Sequence, residues 1–208
     1  MNLPNKLSTL RICLVPLFVV AYFLPYYWGA FVAVAIFVIA AFTDFLDGHI
    51  ARKYDLVTNL GKLLDPIADK VLICAALFCV TATNPLQYTQ ASQLAISTDF
   101  SFYFGQIFLA VGGTLILARE LLVSAVRQIA ASKGVVVQAN VYGKVKTVLQ
   151  DVALPMLLLL NAQKDSTVQS VFFDIVWIVG AVVFGIAIIM TIVSGVIYLV
   201  QNRKVFTD

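Results

Sequence analysis

Four aspartates fall at the facing ends of two apolar segments, close enough in sequence to form one acidic cluster. They are Asp44, Asp47, Asp65 and Asp69. Helical residues three or four apart share a face, so Asp44 pairs with Asp47, and Asp65 with Asp69. A short connection makes consecutive helices antiparallel neighbours, so the two acidic faces can meet. Because four ionised carboxylates this close repel one another, the pattern indicates that cations hold them together.

The residue types in the cluster predict the kind of cation. Carboxylate oxygens favour hard divalent ions such as Mg²⁺ or Mn²⁺. The chain has one histidine, and its three cysteines lack the spacing of a zinc site, so zinc is not expected. Two such ions about 3.5–4 Å apart would polarise a phosphate and stabilise a leaving oxygen, as in phosphoryl transfer. A pyrophosphate group is the ligand that this arrangement favours.

The helix turns that follow Asp47 suit a nucleotide. Gly48 and Ala51 are small enough to let a nucleotide approach the backbone closely. Arg52 can then bind a phosphate.

The elements that carry these residues are membrane helices. The chain has 208 residues, of which 61% are hydrophobic and 12% charged, too apolar for one soluble core of this size. A bilayer span needs about 20 mostly apolar residues. We therefore predict an all-α membrane protein of six transmembrane helices, preceded by a short interfacial segment over residues 1–8. The predicted spans are 10–24, 28–45, 65–83, 102–129, 145–161 and 171–200.

Charge placement predicts how the chain is oriented. Every lysine and arginine except Lys164 falls at one set of helix ends, which makes 13 of the 14. Short cytoplasmic loops hold an excess of these residues, so both termini and the acidic cluster are expected on the cytoplasmic side. The net charge of +3 is explained by topology, and no nucleic-acid partner is expected. No linker divides the chain, so residues 1–208 are predicted to form a single domain.

The stretch from Asp44 to Asp69 resembles the signature of the CDP-alcohol phosphotransferase family. It fits the pattern D-x2-D-G-x2-A-R-x8-G-x3-D-x3-D at every fixed position. The six-helix hydropathy profile is also similar to that family. The resemblance implies that Asp44, Asp47, Asp65 and Asp69 bind two divalent cations. It further implies that Asp69 is the catalytic base, which deprotonates an acceptor hydroxyl for attack on CDP-diacylglycerol, with CMP leaving. The family's CDP-binding positions correspond to Gly48, Ala51, Arg52 and Gly61.

Cations in two later segments bear on the acceptor. They are Arg119 and Arg127 in the fourth span, and Lys144 and Lys146 at the fifth. Four cations exceed what a neutral alcohol needs, so we expect them to bind the phosphate of an acceptor such as glycerol 3-phosphate. Glu120 could orient or neutralise one of them. Alternatively, the arginines are structural or extend to the interface, and the lysines only enforce topology.

The strings around these cations, with residues 4–11, resemble the branch of the family that uses glycerol 3-phosphate. The branch resemblance implies a bacterial plasma-membrane enzyme of phospholipid synthesis, with membrane lipids as surroundings and a homodimer as its assembly. The alternatives are the same chemistry with inositol phosphate or serine as acceptor, an ion transporter that uses the aspartates as a relay, and a non-catalytic assembly subunit.

Overall fold

The computed structural model describes residues 3–53, 59–83, 98–133, 141–164 and 171–202, and the regular secondary structure of this part of the chain is all helical, without strands. Its six α-helices match the six predicted spans. They are α1 (Leu3–Phe23), α2 (Tyr27–Lys53), α3 (Asn59–Ala82), α4 (Thr98–Ser132), α5 (Val141–Leu159) and α6 (Val171–Gln201). A 3₁₀ turn, Leu160–Lys164, extends α5. The all-α prediction is confirmed.

Residues 3–8 of the predicted interfacial segment belong to α1, and their position at the membrane interface stays a prediction. Helix α1 runs without a break from Leu3 into the first span. Lys6 is exposed, whereas Ser8 and Arg11 are fully buried, so one side of this part of α1 faces the bundle.

Four of the helices contain stretches long and apolar enough to cross a bilayer: Lys6–Phe23, Gly105–Ala130, Tyr142–Ala162 and Val171–Gln201. The described apolar stretches of α2 and α3, Tyr27–Thr43 and Lys70–Ala82, are shorter. Both helices continue into turns whose side chains lie outside the described residues. The number of spans therefore stays a prediction.

The helices pack in the neighbour order α1, α2, α5, α6, α4, α3, with α3 contacting α1 again. All six contribute to one apolar core, including Phe18 of α1, Phe37 of α2 and Phe184 of α6. The closest pair is α5 and α6, where Gly180 lies against the backbone of α5. Small residues allow such close approach between membrane helices. This order brings the ends of α2, α4, α5 and α6 around one space.

The outer surface of the bundle is apolar. On α6, Val182, Ile189 and Val196 recur every seven residues, and each exposes more than 40% of its surface. Exposed apolar side chains recur on the other helices as well. In water such a surface would be costly, whereas lipid tails match it. The described helices thus form a membrane protein.

Candidate substrate pocket and acidic helix ends

The four aspartates lie on helices, as predicted. Asp44 and Asp47 belong to the last three turns of α2, and Asp65 and Asp69 to the first three turns of α3. The two helices pack against each other. The spacing argument for a shared face therefore applies to both pairs. Their side chains lie outside the described residues, so the meeting of the carboxylates stays a prediction.

The predicted CDP-binding residues follow the same helices. Gly48, Ala51 and Arg52 lie in the last two turns of α2, and Gly61 lies in the first turn of α3. Their side chains are also outside the described part of the chain. Among the side chains that are described, no group of three or more His, Cys, Asp or Glu could hold a metal ion.

All four predicted acceptor-binding cations line one pocket of about 500 Å³. Arg119 and Arg127 come from α4, and Lys144 and Lys146 from α5. The acidic residues Glu120 and Asp151 also line the pocket, so its described walls carry four cationic and two anionic groups, a net +2 when all are ionised. The rest of the lining consists of Ala41, Val123, Ser124, Gly143, Thr147, Val148 and Tyr198.

Glu120 links the cations of the two helices. Its Oε1 atom forms an ion pair with Lys146 Nζ and lies 3.4 Å from Arg119 Nη1. The three side chains are largely buried, which strengthens their interaction compared with exposed pairs. The sequence prediction that Glu120 orients or neutralises a cation agrees with this contact. The alternative, in which Arg119 is a structural residue paired with Glu120, agrees with the same contact.

The two lysines differ in their surroundings. Lys146 is buried beside Glu120, whereas Lys144 is exposed at the pocket rim. A lysine that served only to set topology would not need burial. The topology-only interpretation therefore fits Lys144 but does not account for Lys146.

Arg119 lies in a gap made by two glycines. A Cβ atom at Gly195 of α6 would lie 3.2 Å from Arg119 Cγ, and one at Gly143 of α5 would lie 3.5 Å from Arg119 Nη2. The same Nη2 atom donates a hydrogen bond to Ser194 Oγ at 3.2 Å. The side chain is thus fixed between α5 and α6 with its guanidinium at the pocket.

The pocket borders the helices that carry the aspartates. Ala41 lines it from α2, three residues before Asp44 and therefore on nearly the same face. On α3, Lys70 directly follows Asp69 in sequence, and its Nζ atom donates a hydrogen bond of 2.5 Å to the pocket residue Ser124. The cationic pocket and the acidic turns therefore occupy the same end of the bundle.

A buried arginine supports the end of α2. Arg11 Nε donates a hydrogen bond of 3.2 Å to the carbonyl oxygen of Ala40, one turn before Asp44. Thr43 Oγ1 donates to the same oxygen at 2.7 Å. Arg11 thereby fixes α1 against the turn that leads into the acidic cluster.

Two residues of α6 were missed in the sequence: Ser194 and Tyr198. Both are buried, spaced four residues apart, and in contact with Arg119 or the pocket lining. The available signal was a row of hydroxyl residues, Thr191, Ser194 and Tyr198, in an otherwise apolar helix. Polar residues at such spacing in a membrane helix face the bundle interior.

Apolar helices around a charged pocket at one end of the bundle define a polytopic membrane protein. Residues 1–197 match the model of the CDP-alcohol phosphatidyltransferase family. The chain belongs to this family.

Relatives from several bacteria align with almost the whole chain. Each is named CDP-diacylglycerol–glycerol-3-phosphate 3-phosphatidyltransferase. The protein of Bacillus subtilis strain 168 is 36% identical over 97% of this chain and 95% of its own length. The protein of Rickettsia felis is 36% identical over 99% of this chain and 97% of its own length. The protein of Shigella flexneri serotype 5b is 32% identical over 100% of this chain and 98% of its own length.

Proposed function

We propose that this chain transfers the phosphatidyl group of CDP-diacylglycerol to glycerol 3-phosphate, giving phosphatidylglycerophosphate and CMP. The observation that carries the proposal is a pocket with four cations that borders the acid-bearing turns of α2 and α3. The four cations suit an anionic acceptor, and the acid-bearing turns suit a metal-dependent phosphoryl transfer. The names of the relatives support the same reaction.

The aspartates fit a pair of divalent cations. Asp44 and Asp47 are separated by one turn of α2, and Asp65 and Asp69 by one turn of α3. Four carboxylates supply only oxygen donors, which Mg²⁺ and Mn²⁺ prefer. When bound, such ions would polarise the phosphate under attack and stabilise the leaving CMP oxygen.

Asp69 is the base in this proposal. Its carboxylate takes the proton of the acceptor hydroxyl as that oxygen bonds to the lipid-linked phosphorus, and the bond from this phosphorus to the CMP oxygen breaks. The Lys70–Ser124 hydrogen bond supports this role because it ties the residue next to Asp69 to the pocket wall. Gly48, Ala51, Arg52 and Gly61 would hold the CDP part of the donor.

The charge of the pocket favours a phosphorylated acceptor. A net +2 complements a phosphate monoester, whereas a neutral or zwitterionic alcohol would leave the cations without counter-charge. The same charge disfavours a cation relay, because Arg119, Arg127 and Lys144 would repel a passing cation. Glycerol 3-phosphate is therefore preferred over serine, and an enzyme over an ion transporter.

We place the protein in the bacterial plasma membrane with the pocket facing the cytoplasm. The concentration of lysine and arginine at one end of the bundle supports this orientation. A water-soluble acceptor would then enter from the cytoplasm, while the lipid donor stays in the bilayer. The homodimer implied by the family resemblance stays a prediction.

CMP release from CDP-diacylglycerol by the purified protein tests the proposal. We expect release that requires glycerol 3-phosphate and a divalent cation, stops with a chelator, and falls at least about 1,000-fold in Asp69→Asn. Asp99→Asn is the matched control, since Asp99 lies 20 residues before Arg119 on α4 and thus about 30 Å along the helix. This variant should retain full activity.

Other outcomes of this assay would contradict specific parts of the proposal. Release only with serine or inositol phosphate would replace the acceptor and keep the chemistry. Full activity in a chelator would contradict the metal requirement. The absence of release with every acceptor, from folded protein, would contradict the enzyme assignment itself.

A further inference from the structure

Two buried hydrogen-bond donors at the pocket have no partner among the described residues. They are the Nε atom of Arg119 and the hydroxyl group of Tyr198. Tyr198 is 2% exposed and lines the pocket from α6. An unpaired hydroxyl in the interior destabilises a folded protein, so phenylalanine would serve stability better at this position.

The two donors lie on facing walls. Arg119 donates through Nη2 to Ser194, and Ser194 lies one helical turn from Tyr198 on the same face of α6. The ring of Tyr198 packs on Val123 and Val126, which follow Arg119 along α4. One ligand oxygen group between α4 and α6 could therefore reach both donors.

We propose that Tyr198 is an acceptor-binding residue whose hydroxyl, together with Arg119 Nε, donates hydrogen bonds to the phosphate of glycerol 3-phosphate. Phosphate oxygens accept several hydrogen bonds at once and carry the charge that the surrounding cations favour. Arginine can only donate from Nε, and a tyrosine hydroxyl donates readily to an anion, so both unpaired groups match an anionic acceptor. This inference rests on the proposed function and adds to it a selecting residue from α6.

The role of Tyr198 differs from that of the cations. Lys144, Lys146 and Arg127 attract any anion that reaches the pocket, because charge acts over several ångströms. A buried hydroxyl acts only on an oxygen within hydrogen-bonding distance. Tyr198 therefore favours acceptors whose phosphate reaches the inner wall of the pocket.

Tyr198→Phe is the direct test because it removes only the hydroxyl oxygen. We expect the KM for glycerol 3-phosphate to rise about 10- to 100-fold, the range for a hydrogen bond to a charged group. The KM for CDP-diacylglycerol should stay within about two-fold. Tyr26→Phe, which removes the hydroxyl of an exposed tyrosine between α1 and α2, is the matched control and should change neither value.

Thermal unfolding separates binding from a structural role. Without ligand, Tyr198→Phe should unfold at the wild-type temperature or above, since the lost hydroxyl makes no hydrogen bond. With CDP-diacylglycerol and divalent cation present, glycerol 3-phosphate should stabilise the wild type clearly more than the variant. A variant destabilised without ligand would show that the hydroxyl is structural and would overturn the inference.

The wild-type result distinguishes the two proposals. If the wild type uses glycerol 3-phosphate and Tyr198→Phe keeps its KM, the inference on Tyr198 is wrong while the proposed function stands. If the wild type neither uses nor binds glycerol 3-phosphate, both are wrong.

Discussion

The Glu120 ion pair gives a stability prediction that can be worked from the structure. Glu120→Gln keeps the shape of the side chain and removes the charge that contacts Lys146 and Arg119. The side chains of Glu120, Lys146 and Arg119 are 19%, 3% and 13% exposed, respectively, so solvent screens their charges little. Removing one partner of a buried pair costs about 3–5 kcal/mol, and the partial exposure of Glu120 favours the lower end, about 3 kcal/mol.

Thermal unfolding in detergent micelles measures this loss. For chains of this size about 1 kcal/mol corresponds to roughly 2–4 °C, so Glu120→Gln should unfold about 6–12 °C below the wild type. Lys144→Met is the matched control, because Lys144 is an exposed cation two residues from Lys146. The free energy of unfolding of this variant should stay within about 0.5 kcal/mol of the wild-type value.

A double-variant cycle tests whether the loss comes from the ion pair. Lys146→Met combined with Glu120→Gln should cost less than the sum of the single variants, by at least about 1 kcal/mol. The reasoning is refuted if Glu120→Gln unfolds within about 2 °C of the wild type, or if the two losses simply add.

Two further predictions concern the pocket rim and helix packing. Arg127→Gln should raise the KM for glycerol 3-phosphate only about 2- to 5-fold, because Arg127 is exposed and solvent screens its charge. In steady-state kinetics this rise in KM should shrink at high salt. An unchanged KM at low salt would exclude Arg127 from acceptor binding. Gly180→Ala should destabilise by about 1–3 kcal/mol in thermal unfolding, since its Cβ would lie 2.8 Å from Met156 Cβ. Gly185→Ala is the control, with its nearest neighbour, Phe108 Cζ, at an ordinary 3.6 Å; equal stability of the two variants would contradict the packing argument.

The sequence predicted the helices well because hydropathy and length decide membrane helices almost alone. The end of α6 at Gln201 lies one residue from the predicted end, whereas α4 begins at Thr98, four residues before the predicted start. Polar residues in that first turn lowered the local hydropathy without preventing a helix. The burial of Ser8 and Arg11 in the first helix could not be predicted, because hydropathy does not reveal the direction that a polar side chain faces.

The pocket could be predicted only in part. Charged residues within apolar segments are so costly that Arg119 and Lys146 stood out, and both line the same pocket. Tyr198 did not stand out in the sequence, because tyrosine near the end of a membrane helix is ordinarily an interface residue. Its burial depends on how α6 rotates against α4 and α5, which is set by contacts such as Gly195 on Arg119. Those contacts join residues far apart in sequence.

The order in which the walls of the pocket are synthesised has a consequence for biogenesis. Helices α2, α4 and α5 contribute Ala41, Glu120 and Lys146, but the last wall belongs to α6, which leaves the ribosome after these three helices. Chains fold from the N-terminus during synthesis. A nascent chain that has inserted five helices already contains every aspartate of the acidic cluster, yet Arg119 has neither Ser194 nor Gly195 to lie against. Insertion of α6 is therefore the step that completes the pocket, so we expect a chain that has not yet inserted α6 to be inactive.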